Sequence, residues 1–159
     1  MVYITDMIEQ YLYILGISAI PIIEQRGAIP VGILVYHLNP YLVTLVSYIG
    51  SLIPMFFVIF FFTPIFKWLG TKKILKWFYD FVDRKVTRGK DKVEKYEIMG
   101  LALFVAIPLP VTGVWTGSAI AAFMQMNKKK ALLSVSLGAA ISAVIIAGIC
   151  YVAPKLLGY

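Results

Sequence analysis

Apolar positions fall into four long blocks, residues 11–38, 41–66, 98–126 and 131–153. They show neither the strict alternation of a half-buried strand nor the single stripe of a soluble surface helix. At ~1.5 Å of rise per residue, about 20 residues cross the hydrocarbon core of a bilayer, so each block is long enough to span once. The polar positions modify that count. Ten lysines and arginines lie between Lys67 and Lys95, and Lys128, Lys129 and Lys130 form a second basic cluster. If both clusters stay on the cytoplasmic side, the one block between them must enter and leave by the same face.

A re-entrant hairpin satisfies that requirement, and block 98–126 has a suitable tip. Pro108, Pro110, Thr112 and Gly113 sit at its centre; proline removes backbone donors and glycine permits a reversal. Block 11–38 has the same design, with Pro21 and then Glu24, Arg26, Gly27, Pro30 and Gly32 in its middle. Its flanks, Asp6 and Glu9 on one side and Asn39-Pro40 on the other, carry no lysine or arginine and suit the external face. The predicted fold class is therefore an all-α integral membrane protein. It is an inverted repeat of re-entrant hairpin plus transmembrane helix, with both termini outside. The first half is 1–66, with hairpin 11–38 and span 41–66. The second half is 98–159, with hairpin 98–126 and span 131–153. Ala28-Ile29-Pro30 recurs as Ala106-Ile107-Pro108, which suggests a repeat of 78 positions. Inverted repeats whose broken helices meet at the midplane are an established transporter design.

Between the halves, residues 67–97 read as a cytoplasmic amphipathic connector. Ile74, Trp77, Phe78, Phe81 and Val82 recur at helical spacing among charged residues, as in a helix lying on a membrane surface. Residues 91–97 are expected to form a soluble helical turn leading into the second hairpin. In block 131–153, Ser134, Gly138 and Ser142 stand beside Ala131, Val135, Ala139 and Ala143, all at intervals of four. Such a small-residue face lets helix backbones approach closely in lipid. Its partner is either the chain's own hairpin or a second subunit, so a homodimer is one expectation.

Composition agrees with the pattern. The 159 residues are 60% hydrophobic, with a mean hydropathy of +0.85, too apolar for an ordinary soluble domain. The net charge of +7 comes from clusters flanking apolar blocks, which points to membrane lipids and not nucleic acid as the partner. Asp6 and Glu9 replace the basic start of a secretory signal, so no cleavage is expected. Cys150 is single, which excludes an intramolecular disulfide. No metal cluster, nucleotide-binding glycine loop or nucleophile with a base can be assembled, so neither an enzyme nor a cofactor is expected.

The candidate chemistry sits at the hairpin tips. Glu24 and Arg26 are the charged side chains of the apolar blocks, and each such group costs about 2.5–3.5 kcal/mol at the bilayer centre unless paired or hydrated. Arg26 offers a planar fork of donors for phosphate or carboxylate, while a carboxyl group withdrawn from water, such as Glu24, suits proton coupling. Half-helices beginning at Val31-Gly32 and Gly113-Val114 would aim their positive ends at an anion between the hairpins. Thr112 and Thr116 could add hydroxyl contacts. Trp115, with Gly117 nearby, is either a packing anchor or part of a substrate wall. His37 reads as an interfacial residue.

The stretches Glu24-Gln25-Arg26-Gly27-Ala28-Ile29-Pro30 and Ala106-Ile107-Pro108-Leu109-Pro110-Val111-Thr112-Gly113-Val114-Trp115-Thr116-Gly117 resemble the bacterial and archaeal family called putative small multi-drug export proteins. That resemblance covers nearly the whole chain. The family in turn looks similar to the DedA membrane proteins, which include transporters of polyprenyl phosphate lipid. The resemblance implies a multi-pass protein of the cytoplasmic membrane, with Glu24 as coupling acid and Arg26 as anion contact. The second motif lacks the further arginine that DedA proteins carry there. The expected function is proton-coupled transport of an amphiphilic or anionic substrate, either a drug-like compound or a phosphate-bearing lipid. The alternative is a membrane scaffold or assembly protein without transport.

Overall fold

The computed structural model describes residues 2–70, 90–109 and 112–156, and every regular element in them is helical. Helix α1 (Val2–Ala19) ends at a break over residues 20–23; α2 (Glu24–Pro30) follows and runs into a π-helical turn, Val31–Val35. Helix α3 is Pro40–Gly70. After the undescribed stretch come α4 (Lys90–Ala106), α5 (Val114–Phe123) and α6 (Lys128–Leu156). Within α3 and α6, Pro40–Phe62 and Lys128–Ala153 are long and apolar enough to cross a membrane. Their outward residues include Leu45, Ile49, Phe57, Leu137, Ile141 and Val144, all exposed. An unbroken apolar exterior of this kind is suited to lipid and not to water. The predicted amphipathic face at 74–82 lies outside the described residues, as do Pro110 and Val111. Residues 91–97 form the start of α4.

Local chemistry explains the helix limits. Asn39 caps α3, its side-chain oxygen accepting from the N–H of Tyr41 at 3.0 Å and of Leu42 at 3.3 Å. Asn127 does the same for α6 through Lys129 at 3.0 Å; asparagine is among the preferred N-caps. Pro21 ends the first arm because it cannot donate and its ring crowds the preceding turn. The chain then passes through positive φ at Ile22 (79°) and Glu24 (45°), the former a costly torsion for a β-branched side chain. Pro30, by contrast, stays inside the helical run. Its missing donor is accommodated by the π turn, in which the N–H of Tyr36 bonds the carbonyl of Val31 at 3.0 Å.

These observations correct two expectations. The second arm of the first broken segment begins at Glu24, not at Val31-Gly32. Helix ends, caps and positive φ recur at an interval of 87 to 88 positions, where the sequence suggested 78. Helix α1 ends at Ala19 and α4 at Ala106, each followed by Ile-Pro; the mate of Ala106-Ile107-Pro108 is thus Ala19-Ile20-Pro21. Positive φ recurs at His37 (51°) and Gln125 (53°), and the caps at Asn39 and Asn127. A Cβ on Gly50 would lie 2.5 Å from the Leu15 carbonyl oxygen, and one on Gly138 2.5 Å from that of Ala102. Gly50 of α3 thus lies against the backbone of α1, and Gly138 of α6 against that of α4.

Packing follows the same plan. Met55 and Ile59 of α3, Leu101 and Val105 of α4, Val114 and Ala121 of α5, and Ala131, Val135 and Ala139 of α6 form one buried cluster. The small-residue face of α6 is used within the chain: Gly138 lies against α4, and Ser134 donates to the Ile98 carbonyl at 2.5 Å. Two further clusters join α2 to the spans, Ile29 with Ala143 and Ile146, and Ala28 with Ile14 and Val43.

Candidate functional site

The two broken segments meet, and polar side chains join them. Glu24, 6% exposed, opens α2 and directs its carboxylate at the first turn of α5. There it accepts from the N–H of Val114 at 3.3 Å and of Trp115 at 3.1 Å. These are donors that a helix leaves unsatisfied at its start, at the positive end of its dipole. Gly113 makes the approach possible, because a Cβ there would lie 2.7 Å from the carboxyl carbon of Glu24.

Arg26 crosses in the same direction. One terminal nitrogen donates to the Leu109 carbonyl and the other to the Thr112 hydroxyl at 3.0 Å, while its buried Nε has no hydrogen-bond partner. Thr112 holds the second tip in shape, its single hydroxyl proton lying within reach of the Ile107 carbonyl at 2.7 Å and the Leu109 carbonyl at 2.9 Å. Trp115 returns the exchange, its indole N–H donating to the Ala19 carbonyl at the end of α1 at 3.0 Å. The tips are thus bonded reciprocally. Around them Ile22 (96% exposed), Ile107 and Leu109 leave apolar surface uncovered.

An anion site of two helix N-termini is not what the chain forms. Among the described residues, α5 presents its first turn to the meeting point, and the carboxylate of Glu24 occupies it. The N–H of Glu24 itself bonds the Ile20 carbonyl at 3.0 Å, and that of Gly27 the Ile23 carbonyl at 2.9 Å. Among the other predicted positions, Gly117 is a close contact with Val105, and Gly27 with Ile23. Thr116 is half-buried on α5, Pro30 lies within α2, and Pro108 stands at the break after α4.

Gln25, absent from the sequence-derived set, is 2% exposed and lies between the spans. Its amide nitrogen donates to the Ala139 carbonyl at 2.8 Å, and its oxygen accepts from Ser51 at 3.4 Å. Gln25 thus ties α3 to α6 through Ser51 and Ala139, which are 88 positions apart. A lone amide within an apolar block was the only available signal.

The chain is all-helical in its described residues, with two helices long and apolar enough to cross a membrane and two broken segments joined by charged side chains. The chain belongs to the family described as putative small multi-drug export proteins, which it matches over residues 24–145, from Glu24 through both tips into α6. No curated protein matches it. No solved structure matches it either.

Proposed function

We propose that the protein is a proton-coupled transporter of amphiphilic or anionic compounds, in which Glu24 is the removable latch between two re-entrant hairpins. The observation that carries this reading is the buried Glu24 carboxylate seated on the first turn of α5. Protonation converts that acceptor-only group into one that no longer suits two N–H donors, and the tips then separate. The exposed donors of α5, together with Arg26, are then available to a phosphate or carboxylate. The surrounding isoleucine and leucine surface suits the apolar body of the same molecule. Phosphate-bearing lipid, the substrate class implied by the likeness to DedA proteins, fits this chemistry, as do anionic drug-like compounds.

Segment length supports re-entry. Helix α5 has ten residues, about 15 Å, half of the roughly 30 Å core. The recurrence of local features at 87 to 88 positions supports two halves of common design, and the basic clusters support their opposite orientation. Cysteines at Lys90 and Lys129 should react with an impermeant reagent from the same side; opposite sides would end the inverted arrangement.

A second reading has its own observation. The polar groups of Glu24 and Arg26 are bonded mainly within the chain, as a static scaffold would require. Thermal stabilisation of the purified protein separates the two, since a ligand binding the folded state raises its apparent stability by mass action. Stabilisation by a polyprenyl phosphate that Arg26→Gln removes supports anion transport. Stabilisation by a lipophilic cation that Glu24→Gln alone removes supports drug export of the opposite charge. No response to either, with no proton flux in vesicles, favours the scaffold.

A further inference from the structure

Six serines are buried among the described residues: Ser18, Ser47, Ser51, Ser118, Ser134 and Ser142. A serine hydroxyl in a helix commonly satisfies itself on a nearby carbonyl, and three of these bond a carbonyl in that way. Ser18 donates to the Ile14 carbonyl at 2.6 Å, Ser51 to that of Tyr48 at 2.8 Å and Ser134 to that of Ile98 at 2.5 Å. Ser47, Ser118 and Ser142, each no more than 1% exposed, have no partner among the described residues. An unmet hydroxyl is costly in an apolar interior, so three that flank one point call for a ligand.

That point is the seat of Glu24 and Gln25. Gln25 bridges Ser51 of α3 and Ala139 of α6. These two helices run antiparallel, since Lys128 at the start of α6 lies over the ring of Phe60, late in the apolar part of α3, at 4.5 Å. Ser47, four residues before Ser51, and Ser142, three after Ala139, therefore stand at one level, roughly 4.5–6 Å from the Gln25 bridge along the axis. In the other direction Ser118 follows Val114 by one turn of α5, and the Val114 N–H bonds the Glu24 carboxylate at 3.3 Å. From there α5 continues toward Ala121, which clusters with Met55 and Ile59 of α3. The unmet hydroxyls thus lie about one helical turn to either side of Glu24.

We propose that Ser47, Ser118 and Ser142 hold ordered water molecules that relay protons to and from the Glu24 carboxylate; the relay rests on the transport reading above, whereas the water site does not. The groups suit water. A hydroxyl offers one donor and two acceptor sites, and a buried water takes about three such partners. The Gly50 carbonyl, whose usual helical donor is missing at Pro54, adds an acceptor one turn on from Ser47. A cation is served less well, because the Glu24 carboxylate is held by two N–H donors and Arg26 stands at the same meeting point. In the relay each oxygen accepts one proton on a lone pair and releases another, so one proton enters the file as one arrives on Glu24, with no net change between. Hydroxyls on both sides let the carboxyl group take up a proton from one direction and give it up in the other, as coupling across two faces requires.

The test uses the full chain in lipid bilayers. Water-to-protein magnetisation transfer in solid-state NMR should reach residues 47, 118 and 142 about five-fold faster than the equally buried Ile59 and Ala131. Ser118→Ala and Ser142→Ala should each lower the unfolding temperature, because a bound water loses a partner; at a dry site the same change removes an unmet group and raises it. The triple variant Ser47→Ala/Ser118→Ala/Ser142→Ala should slow proton flux in vesicles about ten-fold or more, and the single variants serve if it fails to fold. Absence of water contact at these serines, or a rise in unfolding temperature with alanine, would overturn the water site. Unchanged flux in the serine variants, where Glu24→Gln stops it, would overturn the relay. Flux that Glu24→Gln leaves untouched counts against the transport reading and takes the relay with it, while the magnetisation transfer still decides the water site.

Discussion

Replacing Gly113 by alanine adds one methyl group at a crowded polar contact. Its Cβ would fall 2.7 Å from both the carboxyl carbon and Oε1 of Glu24, and nearer still to Oε2. The backbone at Gly113 is extended (φ −167°, ψ −169°), so alanine adopts it without strain and the whole effect passes through the carboxylate. Glu24 must withdraw, leaving the N–H groups of Val114 and Trp115 without their acceptor. Hydrogen bonds to charged groups contribute roughly 1.5–3 kcal/mol each, and loss of a helix cap about 0.5–2 kcal/mol. With partial relaxation of the flexible side chain, a destabilisation of about 2–4 kcal/mol follows. At ~2–4 °C per kcal/mol for a chain of this size, the unfolding temperature should drop by roughly 5–15 °C. Thermal unfolding in detergent or nanodiscs measures it, and a double-mutant cycle identifies its route. In a Glu24→Ala background the methyl group has nothing to displace, so Gly113→Ala should cost little more than Glu24→Ala alone. Strict additivity of the two, or an unfolding temperature unmoved by Gly113→Ala, would refute the claim that Glu24 holds the start of α5.

Gly50→Leu and Gly138→Leu should each prevent stable folding, since both force a side chain into a facing backbone carbonyl, a cost above the ~1–3 kcal/mol of ordinary overpacking; size-exclusion profiles would show aggregation, and a monodisperse stable variant would contradict the close approach. Gln25→Leu should lower stability by about 1–3 kcal/mol by leaving the buried Ser51 hydroxyl and Ala139 carbonyl less well satisfied, read as a drop in unfolding temperature that Gln25→Asn does not restore. Asn39→Ala and Asn127→Ala should each cost about 1 kcal/mol, and nearly equal shifts would match their equivalent roles. Arg26→Lys should weaken anion binding in the stabilisation assay, because a point charge lacks the planar fork that bonds phosphate or carboxylate through two donors at once.

Much of the architecture was legible in the order of the residues. Apolar length alone offers four candidate spans, and the basic clusters together with the crowding of Pro108, Pro110 and Gly113 single out the two that the structure shows as long apolar helices. The first tip was harder because two signals compete there. Glu24 and Arg26 draw attention to the stretch before Pro30, while the helix is actually broken at Pro21, ahead of both. Ala-Ile-Pro also occurs twice in that block, and local sequence does not distinguish the copy that ends a helix from the copy a π turn absorbs. The matching asparagine caps and facing glycines become informative only once the register is known. Glu24 and Arg26 were identified by the cost of burying charge, but their destinations were not. Carbonyls and N–H groups of the backbone bear no sequence signature, and most of the bonds that join the tips end on them.

The division of labour between the tips bears on how the protein is made. Glu24 and Arg26 belong to the first half, and the groups that satisfy them, at Leu109, Thr112, Val114 and Trp115, belong to the second. A ribosome delivers the N-terminal part first, so two charges costing about 2.5–3.5 kcal/mol each reach the membrane with no partners. Trp115 follows Arg26 by 89 residues, or roughly 4–18 s at ~5–20 residues per second. During that interval the first broken segment has to wait at the membrane surface or lean on the insertion machinery, and it settles only when the second arrives. Truncation before residue 109 should therefore yield a product cleared by quality control, although it contains a complete and strongly apolar span.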